Sequence, residues 1–245
     1  MISQNNTDKH VLVIGASSAI AKALIDSLID DETVSHIYGV SGQEQAITHY
    51  RYTAIQTDYC EQNILKIIND LKELPGYFSD VFICNGILHT EQFMPEKKLE
   101  DINQNQLNQL LTSNTVIPML WVQHLITLCK SEHPCNIVVL SARVGSISDN
   151  RLGGWYSYRM SKAALNMGLK TAAIEYARRA KNIKLVAFHP GTTDTPLSKP
   201  FQNNLPEGQL FTPQFVARSL LTILSNTTPD GTLSYIDWAG KPIHW

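Results

Sequence analysis

The chain is 245 residues long, 43% hydrophobic and 17% charged, with a formal net charge of -2. That length buries a sizeable core as one large α/β domain or two small ones, and a near-neutral balance without a basic cluster excludes a nucleic-acid surface. No apolar run reaches the ~18 residues a membrane span needs, and "MISQNNTDKH" carries no apolar leader, so a cytoplasmic protein is expected.

The first apolar run, "VLVIG" (11–15), is continuous rather than alternating, as a parallel strand covered on both faces should be. "AIAKALIDSLID" follows with Ile20, Ala23, Leu24, Leu28 and Ile29 along one helical stripe. Strands are expected at "HIYGVS" (36–41), "YTAIQT" (52–57) and "DVFICNG" (80–86), the last preceded by the amphipathic helix "EQNILKIINDLKEL". One long helix is predicted over 99–129, then a strand at "NIVVLS".

A helix opens in "WYSYRMSKAAL" (155–165) and runs to about Arg179. "IKLVAFHPG" is a sixth strand, "PQFVARSLLTILSN" a helix and "TLSYID" a seventh strand. Strands alternating with helices imply βαβ units. The fold predicted is α/β: a doubly wound, mostly parallel sheet of about seven strands flanked by helices, a single Rossmann-type domain over 1–245. The irregular stretch 191–213 follows a strand's carboxyl end, where open α/β sheets bind ligands, and a substrate loop is expected at about 192–212.

Cys60, Cys84, Cys129 and Cys135 form no C-x-x-C, and the eight histidines show no H-E-x-x-H. Buried reduced thiols and no metal are the reading. Chemistry gathers elsewhere. Tyr158 and Lys162 are four apart and share a helix face, whereas Tyr156 points away. An ammonium beside a phenol favours the phenolate, which suits acid–base work near neutrality. At the first strand–helix turn Gly15 supplies a bend, Ser17 and Ser18 add hydroxyls, and small residues keep the approach to a pyrophosphate open.

"GASSAIA", Asp58, Asn114 in "TSNTVIP", "SARVGSISDN", "YSYRMSKAAL", "HPGTTDT" and the tail "YIDWAGKPIHW" stand in an order and spacing that resemble the short-chain dehydrogenases/reductases. The chain looks most like their C-factor-like and sniffer-type carbonyl reductase group. The resemblance implies hydride transfer between a nicotinamide and a carbonyl or secondary alcohol, the alternative being a dinucleotide-binding signalling protein of the C-factor type. It implies that Tyr158 is the acid–base, that Lys162 holds the nicotinamide ribose and lowers the phenol's pKa, and that Asn114 steadies a proton relay. Asp58 would meet the adenine, and Pro190, Gly191, Thr193 and Thr195 would line the nicotinamide and phosphate side. Gly15, Ser17, Ser18, Ile20, Ser41, Asn85, Gly86 and Lys162 complete the cofactor set. Homodimers or homotetramers through two long helices are also implied, with Met119, Trp121 and Met167 as candidates for that face.

Three departures from the family pattern stand out. The glycine turn reads Gly15, Ala19, Ala21, and the N-N-A-G motif reads "ICNG". The serine expected to hydrogen-bond the substrate oxygen falls on Ala142, so Ser141 is taken as its replacement, with Ser146 just beyond. At the end of the second strand Ser41 and Gly42 carry neither charge, which leaves room for a 2′-phosphate. The reading is NADP, with NAD the alternative that Glu44 keeps open.

Overall fold

The computed structural model describes residues 8–203 and 205–245; the polar start of the chain, through residue 7, lies outside them. The sheet is built from β1 (Lys9–Ile14), β2 (His36–Ser41), β3 (Tyr52–Gln56), β4 (Tyr77–Ile83), β5 (Cys135–Leu140), β6 (Ile183–His189) and β7 (Leu233–Asp237). Six helices accompany it among the described residues: α1 (Ala19–Ile29), α2 (Glu61–Lys72), α3 (Gln104–Leu111), α4 (Ile117–Cys129), α5 (Tyr156–Arg179) and α6 (Pro213–Ser225).

The continuous apolar run of β1 is explained by its two faces. Val11 and Val13 enter a core with α1 and α6, while Leu12 and Ile14 enter one with α2, α4 and α5. All four are fully buried, each worth about 1.5–3 kcal/mol relative to exposure. Strand order is β3-β2-β1-β4-β5-β6-β7 and every pairing is parallel. This is the Rossmann-type α/β fold the sequence predicts. Order reverses between β1 and β4, and such a switch point opens a crevice at the strands' carboxyl ends.

The predicted long helix over 99–129 is broken. A 3₁₀ turn (Leu99–Asp101) leads to α3, whose start is capped by Asn103 accepting from the N–H groups of Asn105 and Gln106 at 2.8 and 3.2 Å. A π turn (Thr112–Val116) then separates α3 from α4. Pro118 has no N–H to return to the carbonyl of Asn114, so the α ladder cannot run through this point. Hydrophobic periodicity continues across the turn, which is why one helix was expected.

The loop after β6 is also more ordered than its composition suggests. Thr192–Thr193 pairs in parallel with Leu210–Phe211, and Lys199–Phe201 forms a 3₁₀ turn between them. No helix among the described residues is long and apolar enough to cross a membrane.

Candidate active site

Gly15 ends β1 with φ +78°, and a Cβ there would lie 2.9 Å from backbone atoms of Cys84 and Asn85. Only glycine fits both the left-handed conformation and that approach. Ser18 caps α1 by accepting from the Ala21 N–H at 3.3 Å. The N–H groups of Ala19 and Ile20, at the first two helical positions, have no intrahelical acceptor. Ser17 lies half-buried in the same turn.

Across the crevice, Asn85 holds a buried side-chain oxygen with no partner among the described residues. A Cβ on Gly86 would sit 3.3 Å from Asn114 Oδ1 and 3.5 Å from Lys162 Nζ. This donor set and this bare backbone fit a nicotinamide dinucleotide. Ser41 is fully buried and its hydroxyl accepts from the Gln43 N–H at 3.0 Å. Asp58 is exposed before α2, where its carboxylate accepts from the Cys60 N–H and the Asn63 amide, both at 2.9 Å. Those hydrogen bonds, the Cys60 backbone first, hold its pKa down at about 2.

The helices bring Tyr158, Lys162 and Asn114 together beside Gly86. Asn114 is fully buried in the π turn, and its Oδ1 accepts from the Ile87 N–H at 2.8 Å. Its amide donates to the Ile87 carbonyl at 2.9 Å and to Ser161 Oγ at 3.0 Å. Ser161 in turn donates to the Tyr158 carbonyl at 2.8 Å, and Thr115 Oγ1 donates to the Ser161 carbonyl at 2.7 Å. The irregular turn is thus what locks α5 to the loop after β4. Ser161 was missed in the sequence because a serine before the lysine carries no signal of its own.

Lys162 Nζ donates to the Leu140 carbonyl at 2.8 Å and lies 6.0 Å from the Tyr158 ring centroid. Burial pulls its ammonium down to about 8. The phenol behaves contrary to the expected lowering: burial, with Tyr235 adding to it, pushes the Tyr158 pKa well above its usual value. At 6 Å the charge does not offset desolvation of the phenolate. Near neutrality the hydroxyl is therefore a protonated donor, and it has no hydrogen-bond partner among the described residues.

Ser141 does not face that hydroxyl. It is buried and donates to Asn166 Oδ1 at 2.6 Å. Ser146 is likewise engaged, accepting from the Asp149 N–H at 3.1 Å. The methyl of Ala142 is the group that packs with Tyr158, Leu88 and Leu110. Alternation along an extended strand end explains this, since neighbouring side chains point to opposite faces.

Pro190 and Gly191 follow β6. Gly191 has φ +71°, and a Cβ there would meet the Phe211 ring at 2.7 Å. Thr193 is buried and donates to the Pro190 carbonyl at 3.3 Å, while the Thr195 carbonyl accepts from the Ser198 and Lys199 N–H groups. Farther along the loop, Leu197 and Phe201 pack onto the Tyr158 cluster. Phe201 lies 4.9 Å from the Trp155 ring and 5.9 Å from His89, whose Nε2 is 3.2 Å from the Leu197 carbonyl. Leu197 and Phe201 fall within the substrate loop expected from the sequence, whereas Trp155 and His89 were not legible there, because tertiary packing alone brings them to this cluster.

A glycine turn lies at the switch point, and a buried Tyr-Lys-Asn constellation lies at the same sheet edge. The chain belongs to the short-chain dehydrogenase family, whose model matches residues 9–206. It is 26% identical over 237 residues to 1-hydroxy-2-glutathionyl-2-methyl-3-butene dehydrogenase of Rhodococcus sp. (strain AD45), covering 96% of this chain and 99% of that one. It is also 26% identical over 147 residues to C-signal of Myxococcus xanthus, covering 60% of this chain and 83% of that protein. The fold matches carbonyl reductase Sniffer of D. melanogaster with a TM-score of 0.83 at 20% identity, over 97% of this chain and 100% of that one. The NADPH-bound carbonyl reductase from chicken fatty liver gives the same score at 22% identity, over 97% and 99%. At these identities the structural likeness is one of fold.

Proposed function

We propose that the protein is an NADP-dependent reductase of apolar carbonyl compounds, with Tyr158 as proton donor. The observation that carries this is the Tyr158 hydroxyl, without a hydrogen-bond partner among the described residues and one turn from Lys162, on a backbone whose carbonyl is tied through Ser161 to Asn114. The nicotinamide supplies hydride when bound. Tyr158 would supply the proton to the carbonyl oxygen, which completes reduction to the alcohol. Lys162, close to Gly86, would hold the ribose side, and Asn114 would steady a water in the relay that returns a proton to the phenol. Gly15, Ser17, Ser18 and Ile20 hold the pyrophosphate at the start of α1. Asn85, Gly86, Pro190, Gly191, Thr193 and Thr195 line the nicotinamide side, and Asp58 borders the adenine.

Phe201, Leu197, Trp155 and Leu88 give Tyr158 an apolar and aromatic surround, with residues 192–212 as the substrate loop. The absence of a carboxylate at Ser41 and Gly42, together with serine hydroxyls at 17 and 18, supports NADP over NAD. The free cysteines suit a reducing cytoplasm. Val116, Met167 and Ile174, which are 48%, 68% and 52% exposed on the outer side of the π turn and α5, support a homodimer or homotetramer through these helices. Trp121 is no part of that face, because it is fully buried in the core.

The decisive experiment follows NADPH oxidation with a panel of aldehydes, ketones and quinones, wild type against Tyr158→Phe. Turnover that falls about 10²–10⁴-fold in the variant, with NADPH binding retained, is the expected result. A second reading, a dinucleotide-binding signalling protein of the C-factor type, is favoured by Ala142 and by the turned-away Ser141. Under that reading NADPH binds and no carbonyl on the panel is reduced.

A further inference from the structure

The start of α5 is unlike the starts of α1, α3 and α6, each of which is capped by its own preceding side chain: Ser18, Asn103 and Thr212. The residue preceding α5 is Trp155, which makes no side-chain cap. Its place is taken from far away in sequence. Glu96 is 2% exposed, and both its carboxylate oxygens accept from the Ser157 N–H at 3.3 Å. The Ser157 hydroxyl also donates to Oε1, and the Trp155 N–H donates to the Glu96 carbonyl at 2.6 Å. No cation pairs with this carboxylate among the described residues. The side chain instead sits at the N–H end of α5, where the helix favours an acceptor.

The backbone it grips is strained. Gly153, Gly154 and Trp155 have φ of 65°, 64° and 54°, three left-handed residues in succession. Glycine adopts that region freely and tryptophan does not. Arg159 fastens the same turn from the helix side, its guanidinium donating to the Gly154 and Gly153 carbonyls at 2.9 and 3.1 Å. Held so, the indole stands edge-on to Tyr158 at 6.2 Å and against Phe201 at 4.9 Å. The segment carrying Glu96 is itself tied down, since Gln106 on α3 donates to the Met94 carbonyl at 3.1 Å.

We propose that Glu96 is a positioning residue that clamps the left-handed turn and the first turn of α5, fixing Trp155 as the wall between Tyr158 and the Phe201 loop. The catalytic part of this rests on Tyr158 being the proton donor; the structural part does not. Glu96→Ala removes the clamp, and Glu96→Gln keeps an acceptor for Ser157 in the same volume. The protein is labelled with 5-fluorotryptophan, and the fluorine resonance of Trp155 is assigned among the four tryptophans by its loss in Trp155→Phe. In Glu96→Ala that resonance shifts and broadens while those of Trp121, Trp238 and Trp245 stay in place, and Glu96→Gln restores it.

With phenanthrenequinone as probe substrate, kcat falls at least tenfold in Glu96→Ala while the NADPH dissociation constant stays within twofold. Glu96→Gln recovers most of the loss. An unmoved Trp155 resonance, four resonances moving together, or kcat and NADPH affinity falling in step would each overturn the clamp. If wild-type protein reduces no carbonyl, the reductase reading fails, and the fluorine spectra still decide whether Glu96 holds the turn.

Discussion

Replacing Lys162 by methionine should uncouple the protein's stability from pH in a predictable window. The side chain is 3% exposed, and burial lowers its pKa from 10.5 to about 8. An unfolded lysine keeps its proton up to about 10.5, whereas the folded one releases it near 8. Between these values the unfolded chain binds more protons, so folding becomes more favourable as pH rises through the window. At about 1.4 kcal/mol per pH unit, the buried ammonium costs on the order of 3 kcal/mol below pH 8 relative to pH above 10.5. Methionine fills a similar volume without the charge, though it leaves the Leu140 carbonyl without its donor, a loss of about 1–3 kcal/mol at every pH. The difference in Tm between wild type and Lys162→Met should therefore change by about 6–12 °C between pH 7 and pH 10.5, in the wild type's favour at high pH. Thermal unfolding by circular dichroism measures this without a substrate, and subtraction removes the titration of all other groups. A difference constant to within about 2 °C across the range would refute the reasoning. Carbonyl reduction should be lost in the same variant.

Ala142→Ser places a hydroxyl beside Tyr158, where a methyl now packs. A gain of about tenfold or more in kcat/KM for a carbonyl is expected, and an unchanged value would show that no hydroxyl is missing there. Asn114→Ala strands the Ile87 N–H and carbonyl in a buried turn. That should cost about 3 kcal/mol and lower Tm by about 6–12 °C, read by calorimetry; a shift under about 2 °C would contradict it. Gly15→Ala forces a side chain onto φ +78° and 2.9 Å from the β4 end. It should abolish NADPH fluorescence enhancement and destabilise the fold by about 1–3 kcal/mol, and wild-type NADPH affinity in this variant would argue against a phosphate-binding turn.

Much of the sheet was legible because burial on two faces leaves an unbroken apolar run, and each of the seven runs became a strand of one parallel sheet. Helix spacing alone paired Tyr158 with Lys162. What periodicity does not carry is a change of helix type: the π turn keeps the apolar spacing of its neighbours and is set by Pro118 and the bonds of Asn114. Side-chain direction at a strand's end was also out of reach, so Ser141 was expected near Tyr158 and points to Asn166 instead. Acidity was misjudged for a related reason. Two residues four apart meet on a surface helix, but here burial outweighs the lysine's charge on the phenol. Glu96 left no trace in a linear reading, being a carboxylate 61 positions from the serine it holds.

The π turn also constrains how this chain can change in length. Its five residues, Thr112–Val116, use one more residue than an α-helix needs to climb the same height. Deleting any one of them would let α3 and α4 fuse into a smooth rod. Trp121, Val122 and Leu125 would stay sealed in the interior, whereas the wide turn from which Asn114 reaches the Ile87 backbone would close. The surplus residue therefore serves the polar centre and not the distal helix, and a shortened variant keeps its core while surrendering the bonds of Asn114.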